Sequence, residues 1–365
     1  MAEYCLEIWD STATFGPNAK VAEIWDALTV GWSRYDRLSG KAFFSLPQSS
    51  RNLWAANPLL SHLKIWRLTP TADTLVYAGA IIDTDNTGDD VVVDAYDYLS
   101  LLALSRSGFK TLYPTKAIGS EIVSPEWTAA KGATSSILGF VTTGTIQDPL
   151  GTDNTTPIKT NAQFGTLDQT RLQLFYDLSE MGRANTVNHV TFEIDLTNTF
   201  NFWKTRTGVA TTAFVLNGNI SDYHYLPGWS RYRNDLATIG VGGSGGAAEI
   251  TSVNSAGVTA KGLRQDVTTL TTLAGIAGLA TEADQQKAAL DHTLVNLTQQ
   301  QSAITLRVMR GKVEPYIGFA LNDLVPVEIS NGLDSITGNR RITGVRAVFS
   351  EAGEDVDIIV SPVAV

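Results

Sequence analysis

The chain has 365 residues, a formal net charge of −10, and a composition that is 43% hydrophobic and 18% charged. Its length suggests two or three domains, and its acidity argues against sequence-independent binding to phosphate backbones, where it would gain no counterion release. The single cysteine, Cys5, excludes an intrachain disulfide and fits folding in a reducing compartment. The charged share lies below the usual ~25%, so the chain needs a large sheet core, extensive contact with neighbours, or both. The first twenty residues carry Glu3, Glu7 and Asp10 and lack a basic start followed by an apolar core, so no secretory leader is expected. No run approaches the ~18 apolar residues of a membrane span.

The opening reads as β. Tyr4 to Trp9, Trp25 to Trp32 and Ala42 to Leu46 are candidate strands separated by polar, Gly-containing turns. His62 to Leu68, Leu75 to Asp83 and Val91 to Tyr98 follow, with Asp83 to Asp90 as a turn-rich hairpin tip. Leu99 to Leu104 is a short apolar helical segment.

From Ser105 to Asn188 the pattern changes to helices and loops. Ser124-Pro125-Glu126 is a helix start, with Ser at the N-cap and Pro in the first turn. A second helix is expected over Leu167 to Met181, with Thr166 and Gln169 at capping-box spacing and Gly182 as its end. Leu174, Leu178 and Met181 form its apolar stripe. Asp148 to Asn161 is expected to be an exposed loop that tolerates deletion.

β structure returns at Val190. Val190, Phe192, Ile194 and Leu196 alternate with Thr191, Glu193 and Asp195, predicting one buried and one wet face. Thr211 to Leu216 and Asp235 to Val241 extend this pattern, with Asn217-Gly218 as a hairpin turn. A long helix is expected over 281–301, with Leu290, Leu294 and Leu297 as a narrow stripe. The end is all β: Ile304 to Met309, Val325 to Ile329, Ile342 to Phe349 and Val356 to Val360, with turns at Asn331-Gly332 and Glu351 to Gly353. No internal repeat is present. The fold class is thus mainly β with α insertions (α+β), with a helical or mixed accessory domain; the short alternating strands of the end read as a small barrel or sandwich, and the resemblance given below implies two small β-barrels. The expected divisions are an N-terminal β-barrel domain, 1–105, a helix- and loop-rich accessory domain, 106–188, and a second β-barrel domain, 189–365.

Residues that carry chemistry are sparse. His62, His189, His224 and His292 have no metal-ligand spacing to one another or to Cys5, so no zinc site is expected. Gly240 to Gly245 matches G-x-G-x-x-G, but Ala247 to Val253 reads as a strand where a dinucleotide site needs a helix. No cofactor is expected. Asp83, Asp85 and Asp89 partly resemble a calcium loop, yet the flanks are strands and position twelve is Asp94 rather than Glu. They are the only candidate metal ligands, and a soluble hairpin tip explains them as well. No H-E-x-x-H or P-loop is present, no catalytic residues are assigned, and the chain reads as a non-enzyme. Phe202 and Trp203, with Tyr223, Tyr225, Trp229 and Tyr232, are aromatics among polar residues. Such residues anchor protein interfaces and also line sugar-binding surfaces.

The run His62 to Leu68, Leu75 to Asp83 and Val91 to Leu102 resembles the N-terminal region of phage tail-tip hub proteins, the hub-type minor tail proteins of siphophage baseplates. Phe200-Asn-Phe-Trp before Gly208, the Asn-led strand Asn234 to Gly243, and the helix leading into Ser302 to Val308 are similar to later elements of that family. So is the C-terminal series Leu321 to Ile329, Arg340 to Arg346 and Asp355 to Val360. The resemblance touches both ends and the middle, and Lys110 to Thr166 has no counterpart in it.

The resemblance implies a homotrimeric ring in the virion tail tip, assembled in the host cytoplasm. Two tube-protein-like barrels per subunit would surround a DNA exit channel. The implied partners are further copies of the chain, the distal tail protein, the tape-measure protein, and fibre or spike proteins. No specific nucleic-acid contact is implied, although DNA passes through the lumen, and net acidity suits such a lumen. Two other readings remain open: a receptor- or carbohydrate-binding tail protein, and a glycan hydrolase that opens the host wall.

Overall fold

The computed structural model describes residues 3–11, 15–47, 61–70, 72–87, 90–107, 116–132, 136–151, 155–159, 170–185, 190–204, 210–226, 235–240, 248–253, 255, 258–259, 265–267, 303–313, 318–332 and 334–362. The first block contains β1 (Glu3–Ser11), β2 (Pro17–Ile24), β3 (Thr29–Tyr35), β4 (Lys41–Pro47), β5 (His62–Leu68), β6 (Asp73–Thr87) and β7 (Asp90–Asp97). A 3-10 segment, Tyr98–Leu104, follows. A π-type turn, Gly119–Val123, runs into α1 (Ser124–Gly132), and β8 (Thr142–Ile146), α2 (Arg171–Asn185), β9 (Val190–Ile194) and β10 (Thr199–Lys204) complete the middle. The last part holds β11 (Phe214–Val215), β12 (Ile220–Leu226), β13 (Asp235–Gly240), β14 (Ala248–Val253), β15 (Gln265–Val267), β16 (Ala303–Val308), β17 (Leu324–Ser330), β18 (Ser335–Ser350) and β19 (Gly353–Pro362).

Alternation explains most of these strands. In β5, β7, β16 and β17 every second side chain is buried, and each fully buried aliphatic or aromatic side chain contributes roughly 1.5–3 kcal/mol. A 13-stranded sheet runs in the order β12-β16-β19-β18-β3-β4-β7-β6-β5-β1-β2, with β17 also on β18 and β11 on β17. Strands from the two ends of the chain therefore share one sheet, joined where β18 lies antiparallel to β3. The sheet curls. Tyr4 on β1 accepts a hydrogen bond from Trp32 Nε1 of β3 at 3.3 Å and donates one to Glu354 at 2.5 Å. Arg67 on β5 grips Glu354 through two bonds of 2.7 and 2.8 Å. Among the described residues no ladder closes the curl into a barrel, and β2 and β12 are the end strands.

Two hydrophobic clusters result. One unites Leu6, Trp32, Phe44 and Val93 with Leu306, Val345 and Ile358. The other gathers Tyr98 and Leu102 with Trp127, Phe175, Phe192, Phe200 and Phe202, over the three-stranded sheet β8-β10-β9. Trp127 stacks on Phe200 with centroids 4.1 Å apart. A third small sheet has the order β14-β13-β15. Among the described residues no helix is long and apolar enough to cross a membrane.

Several local expectations need correction. α2 starts at Arg171 and continues through Gly182 to Asn185, and its expected cap at Thr166 and Gln169 lies outside the described residues. Asn217 does adopt the left-handed turn conformation, with φ of 62°, but the turn makes no hairpin. β11 pairs with β17 and β12 with β16, where Phe214 and Ile220 join the main hydrophobic cluster with Leu306 and Val327. The stretch from Asp148 is not a free loop. Asp148 Oδ1 accepts from the backbone N–H groups of Gly119 and Ser120 at 2.7 and 2.8 Å, and Ser120 Oγ donates to Oδ2 at 2.7 Å. These are orphan donors at a helix start, and Ile158 packs into the second cluster. The helix expected over 281–301 lies outside the described residues.

Candidate functional site

β9 places Val190, Phe192 and Ile194 in the second cluster and turns Thr191, Glu193 and Asp195 the other way. That face was expected to be wet. Instead Thr191 is 1% exposed, because it faces the turn after β3 and forms part of a buried polar seam. Thr191 Oγ1 donates to Asp36. Asn322 Nδ2 donates to Thr191 Oγ1 at 3.1 Å, and Arg341 Nη1 donates to the Asn322 carbonyl at 2.6 Å.

Arg37 anchors the seam to α2. Its residue has a positive φ of 59°, which turns the chain so that the guanidinium reaches Asp36 at 3.0 Å, Ser179 Oγ at 3.1 Å, and Glu180. It also lies 5.2 Å over the Tyr176 ring. Burial alone would pull the guanidinium down, but Asp36 and Glu180 hold it above its ordinary range. A buried cation with two carboxylates is arranged to fix two elements against each other.

Beside the seam lies a cleft of about 230 Å³. Arg34, Glu193, Trp203, Leu321 and Asn322 are among its walls. Arg34 Nη2 pairs with Glu193 Oε2 at 3.3 Å. Asn322 is 7% exposed and its Oδ1 has no hydrogen-bond partner among the described residues.

The residues singled out from sequence are scattered. Phe202 is 0% exposed in the second cluster, so the interface role expected of it is corrected to core packing. The strand period turns Phe200 and Phe202 inward and Asn201 and Trp203 outward. Trp203 is half-buried and lines the cleft. Tyr223 and Tyr225 sit on β12 and pack partly against the main cluster; Tyr223 donates to Asp334 at 2.6 Å. Trp229 and Tyr232 lie outside the described residues. Asp83 and Asp85 are exposed on β6, in ladder with β7 up to the Thr87↔Asp90 pair, and Asp89 lies outside the described residues. Among the described residues no three His, Cys, Asp or Glu side chains gather as a metal site. His62 is buried and shares a 3.0 Å hydrogen bond with Tyr98, while His224 is exposed. His189 and His292 lie outside the described residues. β14 follows the Gly-rich segment as a strand paired with β13, and a strand lacks the N–H cluster that holds pyrophosphate. Sequence reasoning missed Asp36, Arg37 and Asn322; the only local signal was an acid–base pair inside a turn.

A large mixed sheet shared by both chain ends carries a helical insertion locked on by a buried ion-pair seam. This is the fold of bacteriophage tail proteins. The chain is similar to the 43 kDa tail protein of prophage MuSo2 from Shewanella oneidensis, at TM-score 0.63 and 12% identity, over 99% of this chain and 98% of that one. It is also similar to a tail protein from Neisseria meningitidis MC58, at TM-score 0.61 and 11% identity, over 99% and 97%. The prophage tail protein gp18 from Listeria monocytogenes EGD-e gives TM-score 0.52 and 13% identity, over 98% and 94%. No family model and no curated protein sequence matches the chain.

Proposed function

We propose that this chain is a structural hub of a phage tail tip. Three copies close into a ring that joins the tail tube and distal tail protein to fibre or spike proteins. The ring encloses the DNA exit channel and receives the end of the tape-measure protein. The observation that carries this reading is the end-to-end similarity of the fold to prophage tail proteins, over nearly the full length of both chains. The curled sheet of 1–105, completed by the β18–β19 hairpin, is proposed as one barrel-like wall. The strands of 189–365 form the other, and 106–188 is the accessory unit. Trp203, Tyr223, Tyr225, Trp229 and Tyr232 are retained as contact candidates. The net charge of −10 suits a bore past which DNA slides. The chain acts by assembly and not as an enzyme, in a virion tail tip built in the host cytoplasm.

Light scattering on the purified chain, alone and with its distal tail neighbour, tests the proposal. A trimer, or a ring formed on mixing, is expected. A monomer under both conditions overturns it.

A further inference from the structure

We infer that Asn331 is a site of spontaneous deamidation that rebuilds the β17–β18 turn as the protein ages. The sequence holds two Asn-Gly pairs, Asn217-Gly218 and Asn331-Gly332, and both are exposed. Glycine leaves its own amide nitrogen unshielded by a side chain, and that nitrogen attacks the preceding carboxamide. A bond forms between the glycine nitrogen and Asn Cγ, the Cγ–Nδ2 bond breaks, and ammonia leaves. Water then opens the five-membered imide, adding O–H to one carbonyl and a proton to the ring nitrogen. The products are aspartate and isoaspartate, and nothing is oxidised or reduced.

The structure hinders this step at Asn217 and favours it at Asn331. Gly218 N donates to the Val215 carbonyl at 3.0 Å, and attack must give up that bond. Gly332 N makes no backbone hydrogen bond among the described residues. A Cβ at Gly332 would meet nothing within 4 Å, so the chain there has room to swing. The Asn331 carboxamide is engaged at both ends. Asp334 N donates to its Oδ1 at 2.8 Å, where charge builds up during attack. Its Nδ2 donates to the Tyr223 hydroxyl, which donates in turn to Asp334 Oδ2 at 2.6 Å. That bond to Asp334 holds the phenol above its ordinary range, so a protonated hydroxyl touches the nitrogen that must leave. Gly332 N loses its proton to water, Tyr223 supplies one to Nδ2, and water restores the phenol. The isoaspartyl product runs the main chain through the old side chain. It adds a methylene to the turn that sets the Ser330↔Ser335 register and removes Nδ2 from Tyr223. The inference stands on this turn alone and does not depend on the ring.

The test holds the purified full chain at mildly alkaline pH and follows the peptides carrying each pair by mass spectrometry, with isoaspartate counted by enzymatic methylation. Asn331 should convert about fivefold faster than Asn217 or more, the worth of one hydrogen bond in a rate. In urea, where both turns are lost, the two rates should converge. Tyr223→Phe keeps the ring and removes the proton source, so conversion at Asn331 should slow severalfold while Asn217 is unchanged. A hydroxyl that merely restrained the carboxamide would give the opposite sign. The comparison of the two sites in the parent needs no variant, and it serves if Tyr223→Phe does not fold. The inference is overturned if Asn217 converts as fast as Asn331, if the native ratio persists in urea, or if Tyr223→Phe leaves the Asn331 rate unchanged or raises it.

Discussion

Two buried ionisable groups pull the pH dependence of stability in opposite directions, and replacing either should expose the other. Asp97, at the end of β7, is buried, and burial pushes its carboxyl up to about 6 from an ordinary 3.8. It stays there although Gly40 N donates at 2.7 Å, Ser39 Oγ donates at 3.1 Å, and Arg34 lies nearby. The folded state therefore holds a proton that the unfolded chain has released. The stability this contributes is full below about 3.8 and is lost as pH rises through about 6. His62 is the reverse case. Burial pushes its imidazole down from 6.5 to about 4, with Lys64 adding to the effect. Its contribution is full above 6.5 and is lost as pH falls through about 4. At about 1.4 kcal/mol per tenfold, each gap amounts to ~3 kcal/mol. Over pH 4 to 6.5 the two largely cancel. Asp97→Asn keeps an acceptor for Gly40 N and removes the proton, so stability relative to the parent should rise by ~3 kcal/mol across that range. His62→Gln should show a fall of similar size. Urea unfolding at half-unit pH steps measures both. Variants that follow the parent curve at a constant offset would refute the reasoning.

Removing the seam cation should be costly. Arg37→Ala leaves the buried Asp36 and the half-buried Glu180 without it, and a loss of ~3 kcal/mol is expected in urea unfolding. Arg37→Lys should recover only part, since an ammonium cannot fork to three partners. Asp148→Ala strips the helix start at Gly119 of its acceptor and should cost ~1–2 kcal/mol, read as a lowered Tm. A fragment of residues 1–104 should give the poorly dispersed amide spectrum of an unfolded chain. It lacks β18 beside β3 and Glu354 beneath Arg67.

Much of the β framework was legible because burial imposes a period of two. His62 to Leu68 was bounded as β5 stands, and the Val190 alternation gave β9. β2 was missed because Asn18 to Val21 are all exposed, leaving no alternation to read. The first half of β18 was missed for a related reason: Gly338 to Asn339 run along an exposed edge. Asn217-Gly218 carried the right turn chemistry and the wrong conclusion, since a turn fixes local dihedrals but not the partners of the strands it joins. Phe202 was read as a surface aromatic because its neighbours are polar, although parity with Phe192 and Phe200 already placed it inward. The seam was illegible in principle. Asp36 and Thr191 are 155 positions apart, and no periodicity links residues at that separation.

The placement of the seam follows from the sheet itself. β18 pairs with β19 along one edge, but on the other edge it changes neighbour, from β17 up to Arg341 to β3 from Gly344. A bulge between Ile342 and Gly344 marks the change, and a Cβ at Gly344 would meet the Tyr35 ring at 2.7 Å. At such a handover backbone groups lose their ladder partners and must find others. They do so in the two loops that converge there. Asp36 N donates to the Thr343 carbonyl at 2.9 Å, Asn322 N to the Ile342 carbonyl at 2.9 Å, and Ile342 N to the Asp323 carbonyl at 3.0 Å. Those same loops then carry Asp36, Arg37 and Asn322 into contact with β9 and α2. The strand that unites the two ends of the chain thus also fixes where the helical unit docks, because the loops that repair its ladder are the loops that hold the seam.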